Sequence, residues 1–485
     1  MEWLVIIGYG FSLLVICLFS LGQFNLAWHY RKQGHKKSKT QSEPTELPII
    51  TVQLPIYNEK YVIERLIDAV ASFDYPKEKL EIQVLDDSSD ETIEIVAEKT
   101  KFYQSKGIDI KHIRRPDRVG YKAGALQFGL ERAKGDLIAI FDADFVPAKD
   151  FLLKTIKGFE GEHVGMVQTR WGHLNEQYSW LTRMQAFGLN AHFTIEQKGR
   201  LKAGSFINFN GTAGIWRKEC IQDAGGWQHD TLTEDLDLSY RAQLKGWKFE
   251  YIEEIQAPAE LPVLIPAVKS QQYRWNKGAA ETAKKNLAAI LKSNIGFWHK
   301  VRATFHLLNS SVFVFLLTSA VLSIPMLYIK DGNPTLSLLF DLGSVFIIGF
   351  IAMSIFYWFA AKASNEGYEF KKFMVHFPMF LSYSMGLALH NSVAILEGYL
   401  GIKTPFIRTP KFAVNKKGES WKGNVYVKTS VTPLTLLEGL LALYFIYGLV
   451  SAFILGDYGL ILFHLMLAFG FGYIFILSLK PIEQP

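Results

Sequence analysis

Aspartates occur in three polar settings in the middle of this chain: Asp86-Asp87, Asp142-Ala143-Asp144 and Thr233-Glu234-Asp235. They are followed by Gln271-Gln272-Tyr273-Arg274-Trp275. Asp142 and Asp144 flank one small alanine, a spacing that lets two carboxylates share a hard divalent cation, and such a cation neutralises a diphosphate while a bond to it breaks. Oxygen ligation makes Mg or Mn the expected ion. Glu234-Asp235 offers a carboxylate at a helix start, where it can accept a proton from a hydroxyl. Gln271, Arg274 and Trp275 stand at i, i+3 and i+4 and so share a helix face. Arg suits a diphosphate, and a flat indole suits the apolar face of a sugar ring. Each piece also has a plainer reading. Aspartates and Thr233 serve as helix caps, and an Arg-Trp pair favours a membrane boundary. Recurrence of the aspartates at successive strand ends favours chemistry over capping.

The elements that must position these groups are legible in the alternation of pattern. Residues 49–54 form a β-branched apolar run that stops at Pro55-Ile56-Tyr57-Asn58-Glu59, and a helical pattern follows through Leu66, Ile67 and Val70. Strands are expected again at 80–85, running into Asp86-Asp87, at 108–113, and at 136–141, ending at Asp142. Strand, polar turn and helix repeated in this way indicate a doubly wound α/β sheet, whose ligands gather beyond the carboxyl ends of the strands.

The chain has 485 residues, 49% of them hydrophobic, and a formal charge of +6. This composition lies between a soluble and a wholly membrane-embedded protein. Apolar runs at 3–27, 308–329, 336–360, 433–455 and 460–479 are long enough to cross a bilayer. The run 373–400 is interrupted by His376, His390, Asn391 and Glu397, and full crossing would put the basic segment 403–422 on the wrong side, so it reads as interfacial or re-entrant. Asp341 and Glu438 read as helix-terminal residues near span ends. Arg31, Lys32, Lys36, Lys37 and Lys39 follow the first span and suit a cytoplasmic membrane flank better than a nucleic-acid surface. The expected arrangement is five spans with an outside N terminus and an inside C terminus. The units are an anchor at 1–28, a cytoplasmic α/β domain at 45–258, interfacial helices at 259–307, two spans at 308–361, an interfacial or re-entrant helix with a loop at 372–425, and two spans at 432–480. Two cysteines, Cys17 and Cys220, support neither a disulfide framework nor a cysteine metal site.

Taken together, Pro55-x-Tyr57-Asn58-Glu59, Asp86-Asp87-Ser88, Asp142-x-Asp144, Thr233-Glu234-Asp235 and Gln271-x-x-Arg274-Trp275 resemble the family 2 glycosyltransferases of the cellulose synthase superfamily. The stretch Phe209 to Arg217 is most similar to the cellulose-synthase-like A and C proteins, which make mannan or glucan backbones. The resemblance implies a GT-A (Rossmann-like) domain inserted between transmembrane helices, and an inverting enzyme that polymerises and secretes a β-linked polysaccharide at the cell (inner or plasma) membrane. By that resemblance, Asp86 or Asp87 contacts the base or ribose of UDP-glucose or GDP-mannose, and Lys122 contacts its phosphates. Asp142 and Asp144 serve the diphosphate and metal, Arg274 with Gln271 holds the nucleotide sugar, and Asp235 is the general base. Asn210, Gly211 and Thr212 line the end of the growing polysaccharide, with Trp275 beneath its terminal sugar. Phe406-Ile407-Arg408-Thr409-Pro410-Lys411 resembles a gating loop, in which Phe406, Thr409 and Lys411 match and Arg408 replaces a small apolar residue. A ceramide or polyprenyl-carrier glycosyltransferase is the alternative, and a transporter a distant third. No segment for a cyclic-dinucleotide receptor is expected after Leu479.

Overall fold

The computed structural model describes residues 2–32, 46–333, 347–414, 419 and 431–479. Lys36, Lys37, Lys39, Asp341 and most of the basic segment after Val414 lie outside the described residues.

Seven strands form one sheet: β1 (Ile50–Ile56), β2 (Leu80–Asp86), β3 (Asp109–Ile113), β4 (Leu137–Ile140), β5 (Val164–His173), β6 (Gly214–Arg217) and β7 (Lys248–Ala259). Their order is β3-β2-β1-β4-β6-β5-β7. The four strands expected from the sequence form one parallel half, with Ile50 beside Leu80 and Leu137. β6 runs antiparallel between β4 and β5, so the sheet is mixed rather than doubly wound throughout. β7 pairs with β5 in parallel and carries Lys248, Glu250, Glu253 and Glu254 on partly exposed positions, which masks any apolar alternation.

Two apolar layers sandwich the sheet. One joins Val52, Leu54, Ile82 and Val84 to Leu66, Ile67 and Val70 of the helix Ile63–Ala71. The other joins Ile138, Ile140 and Trp216 to Leu126 of the helix Tyr121–Leu130 and Leu238 of the helix Glu234–Leu244. Each fully buried aliphatic side chain contributes roughly 1.5–3 kcal/mol. Because β1, β2 and β4 run the same way, their carboxyl ends and the polar turns after them share one edge.

Among the described residues five helices are long and apolar enough to cross a membrane: Glu2–Lys32, Asn309–Gly332, Ile347–Ser364, Pro433–Ile454 and Ile461–Leu479. The chain is a membrane protein on this evidence. Helices Phe370–Gly386 and Ala388–Leu400 follow one another with a 49° bend. The helix Ile265–Lys292 connects the sheet domain to this bundle and crosses Ala388–Leu400 closely: a Cβ on Gly398 would stand 2.7 Å from the Lys277 carbonyl oxygen. Only glycine permits that approach.

Candidate active site

The turns after β1 and β2 are tied to each other. Asn58 has a positive φ of 54°. Its N–H donates to Ser88 Oγ at 2.8 Å, and its Oδ1 accepts from Ser89 N–H at 2.9 Å. Asp86 and Asp87 are not helix caps, since the next helix starts at Thr92. Asp86 is buried and meets His112 Nε2 at 2.7 Å, while its Oδ1 accepts from Ser88 N–H. Burial pushes the Asp86 carboxyl up, but these hydrogen bonds outweigh it and leave the group below the ordinary range. Asp87 is held by a fork from Arg115, with Nε to Oδ1 at 2.7 Å and Nη2 to Oδ2 at 2.6 Å. Such bidentate pairs are rigid. Asp87 still lines the cavity that follows.

That cavity measures about 110 Å³, and its lining includes Tyr57, Asp87, Lys122, Asp142, Arg274 and Lys411. Lys122, at the start of Tyr121–Leu130, donates to Asp142 Oδ1 at 2.6 Å and to the Gly211 carbonyl at 2.9 Å. The Thr212 hydroxyl accepts from Asp142 N–H at 2.9 Å. Gly211 has φ +77°, and a Cβ there would lie 3.1 Å from Asp235 Oδ2. The Asn210-Gly211-Thr212 turn therefore touches both the Asp142 strand end and Asp235. Burial first, and Glu234 second, push the Asp235 carboxyl up to about 7, with Lys122 opposing. Glu234 is raised by burial as well. Thr233 does not cap this helix through its side chain; its hydroxyl bonds that of Thr282 at 3.1 Å.

Gln271, Arg274 and Trp275 sit on the connecting helix Ile265–Lys292. Burial lowers Arg274 from the ordinary guanidinium value, and Asp142, Glu234, Asp235 and Asp144 counter that effect. This guanidinium thus feels all four carboxylates. Trp275 lies 6.5 Å from Trp171 of β5, tilted by 55°.

The segment from Phe406 to Phe412 is docked across the cavity. Phe406 stacks on Tyr121 at 5.6 Å and lies 4.7 Å beneath the Arg274 guanidinium. Thr409 Oγ1 accepts from Arg274 at 3.1 Å. Arg408 pairs with Glu59 at 2.7 Å and Lys411 with Asp144 at 2.9 Å. Phe412 N–H donates to Glu260 Oε1 at 2.8 Å. Arg408, a departure from the gating-loop pattern, has a dedicated partner here. Glu59 and Glu260 are the residues that sequence reasoning left without a role. Glu59 stood inside a quoted motif, whereas nothing local marks Glu260.

A divalent cation fits the Asp142-Asp144 pair. Both carboxylates already face a cation, Asp144 Oδ1 the Lys411 ammonium at 2.9 Å and Asp142 Oδ1 that of Lys122 at 2.6 Å, so positive charge is accommodated at this spot. The Asp142 side chain is one-third exposed and lines the cavity. Among the described residues no group of three or more His, Cys, Asp or Glu side chains is placed to hold a metal. Two carboxylates with further oxygens from a phosphate and water match the way Mg-type ions are bound.

These features define a GT-A-type domain with a cavity lined by cationic and carboxylate side chains at the strand ends. Residues 51–221 match the glycosyl transferase family 2 model, and residues 137–361 match that of glycosyl transferase family group 2. Together these matches identify residues 51–361 as glycosyltransferase family 2 sequence. The chain is 44% identical over 278 residues to a probable glucomannan 4-beta-mannosyltransferase 4 of Oryza sativa subsp. japonica, a match covering 56% of this chain and 50% of that protein. It is 42% identical over 263 residues to glucomannan 4-beta-mannosyltransferase 2 of Arabidopsis thaliana, covering 53% and 49%. The chain spans about half the length of the curated relatives it matches. Among solved structures, the mannosyltransferase PcManGT from Pyrobaculum calidifontis, in complex with GDP-Man and Mn2+, shares the fold at a TM-score of 0.53 and 19% identity. That likeness covers 76% of this chain and all of PcManGT.

Proposed function

We propose that this protein is a processive, inverting hexosyltransferase that builds a β-linked mannan or glucan backbone from GDP-mannose or UDP-glucose, with mannose the first choice. The observation that carries this reading is the convergence of Lys122, Asp142 and Arg274 on one cavity, with Asp235 and Lys122 both set against Gly211 of the Asn210-Gly211-Thr212 turn. Similarity to the glucomannan 4-beta-mannosyltransferases favours the mannosyl donor.

In this reading Arg274 and Lys122 hold the diphosphate by charge, and Gln271 contributes from the same helix face as Arg274. Tyr57 and Asp87 face the nucleoside. Asp142 and Asp144 would hold a divalent cation, Mg or Mn, which supplies charge neutralisation at the departing diphosphate. Asp235 takes the proton from the acceptor hydroxyl, and that oxygen attacks the anomeric carbon from the face opposite the diphosphate, inverting its configuration. Asn210, Gly211 and Thr212 position the acceptor, and Trp275 stacks under its terminal sugar. The docked loop, through Phe406, Thr409 and Lys411, excludes water from the donor while the bond breaks.

The α/β domain is assigned to the cytoplasm of the cell membrane, because Arg31 and Lys32 close the first span and basic flanks favour that side. The helices downstream give a growing chain a route out. The test is a panel of nucleotide sugars with purified membranes, followed by product sizing and linkage analysis. A ladder of β-linked products from GDP-mannose or UDP-glucose is expected. A single sugar added to a lipid, with no ladder, overturns the polymerase reading in favour of a lipid glycosyltransferase.

A further inference from the structure

Between the helices Trp180–Ala191 and Gln197–Lys202 the backbone widens into a π-helical turn, His192–Glu196. Such insertions are rare and concentrate at functional sites. Here the turn carries a side-chain relay. His192 Nδ1 lies 2.6 Å from Glu196 Oε2, and Nε2 lies 2.9 Å from Asn210 Oδ1. Glu196 is buried, and Arg200 approaches it at 3.5 Å. Burial pushes the Glu196 carboxyl up, yet Arg200, then His192 and His306, bring it down to about 2, so it is an ionised acceptor. His192 Nδ1 therefore carries a proton directed at Glu196.

The orientation of the Asn210 carboxamide follows from its neighbours. Asn208 Nδ2 donates to the Phe209 carbonyl at 3.2 Å and to Asn210 Oδ1 at 3.0 Å. Gln197 Nε2 holds the Asn208 carbonyl at 2.9 Å. With Asn208 fixed this way, Asn210 must turn its oxygen toward Asn208 and His192. The His192 Nε2 contact is then made to the amide oxygen, which can only accept. Asn210 Nδ2 retains only a long contact, 3.5 Å, to the Asn208 carbonyl. The nitrogen is left with a donor to spare on the residue that precedes Gly211, where a Cβ would approach Asp235 Oδ2 at 3.1 Å.

We propose that His192, clamped by Glu196, is a positioning residue that holds the Asn210 carboxamide with its NH₂ group presented to an oxygen of the acceptor sugar. This rests on the proposed placement of the acceptor at Asn210-Gly211-Thr212. His192 touches no reacting atom; it sets which end of the amide the acceptor meets.

Two near-isosteric variants separate this role from a packing role. In His192→Gln the amide nitrogen overlaps the position of Nε2 and keeps the bond to Asn210. In His192→Asn it overlaps Nδ1, keeping the Glu196 contact but losing Asn210. Full-length wild type and both variants are purified, and donor KM, nucleotide release and sugar incorporated are measured side by side. His192→Asn is expected to lower the ratio of sugar transferred to nucleotide released about tenfold, as for one lost hydrogen bond to substrate. Donor KM stays unchanged, and His192→Gln retains most of the wild-type ratio. Equal ratios in the two variants, or donor binding lost in step with transfer, overturn the proposal. The ratio is readable with whichever acceptor the wild type uses, polymer or lipid. Failure of the polymerase reading therefore shows in wild-type product length, whereas failure of this inference shows in the variants.

Discussion

Burial and the adjacent Glu234 bring Asp235 up to about 7, the range in which a carboxylate both accepts a hydroxyl proton and gives it back. Its proposed role as base is tested by Asp235→Asn, which keeps the shape and loses the proton acceptor. Turnover should fall about a hundredfold or more with donor KM little changed. The pH profile follows from the direction of the shift. A raised carboxylate is protonated as pH drops through about 7, so wild-type turnover should decline on the acid side of that value rather than near the ordinary carboxylate range. Normal turnover at pH 5 would place the base elsewhere, with Glu234 next in line. For Asp142 and Asp144, either Asp→Ala change or excess chelator should abolish transfer while the thermal unfolding midpoint of the apoprotein holds. Full activity in chelator removes the cation from the mechanism.

At the scale of elements, the docked loop is held by charges placed on three separate segments. Arg408 meets Glu59 after β1, Lys411 meets Asp144 after β4, and Phe412 N–H meets Glu260 after β7. Burial pushes Glu59 up to about 7, and Arg408 and Lys411 oppose it. Arg408→Ala removes the charge that keeps Glu59 ionised, so Glu59 should take up a proton instead of standing uncompensated. The cost is then well below the roughly 3–5 kcal/mol of an abandoned buried charge. The expected result is a donor KM raised severalfold, with the maximal rate less affected, because the loop closes less often. An unchanged KM would mean that Arg408 plays no part in docking.

At the scale of the whole molecule, a buried ion pair joins the helix Ile265–Lys292 to the apolar helix Pro433–Ile454. Lys269 Nζ donates to Glu438 Oε2 at 2.6 Å and to Ser478 Oγ at 2.9 Å, and His390 Nε2 lies 3.0 Å from the Lys269 carbonyl. Glu438 stands near the start of the helix Pro433–Ile454, as its place in the sequence suggests, and its side chain has no exposure. Lys269→Met alone should lower the unfolding midpoint of the detergent-solubilised protein, since it leaves the Glu438 carboxyl buried without its partner, whereas Lys269→Met with Glu438→Leu should recover most of that. Thermal unfolding of the single and double variants measures both. If the single variant melts with the wild type, the pair does not couple these helices.

What the sequence determined by itself was everything that depends on local pattern and spacing. The parallel half of the sheet follows from β-branched runs ending in polar turns, and the five spans follow from apolar length. The motif residues follow from chemistry that needs those side chains at those separations. Tertiary structure decided what depends on segments remote in the chain. β6 enters antiparallel because its partners β4 and β5 flank it in space. β7 was illegible because its edge position tolerates glutamates that hide the strand pattern. Thr233 seemed a cap, but its hydroxyl is drawn to Thr282 across a helix contact. Glu260 holds Phe412 across a separation of 152 residues, and Lys269 finds Glu438 across 169. No local pattern reports such pairs, because burial and a partner's charge arise only when the chain has folded.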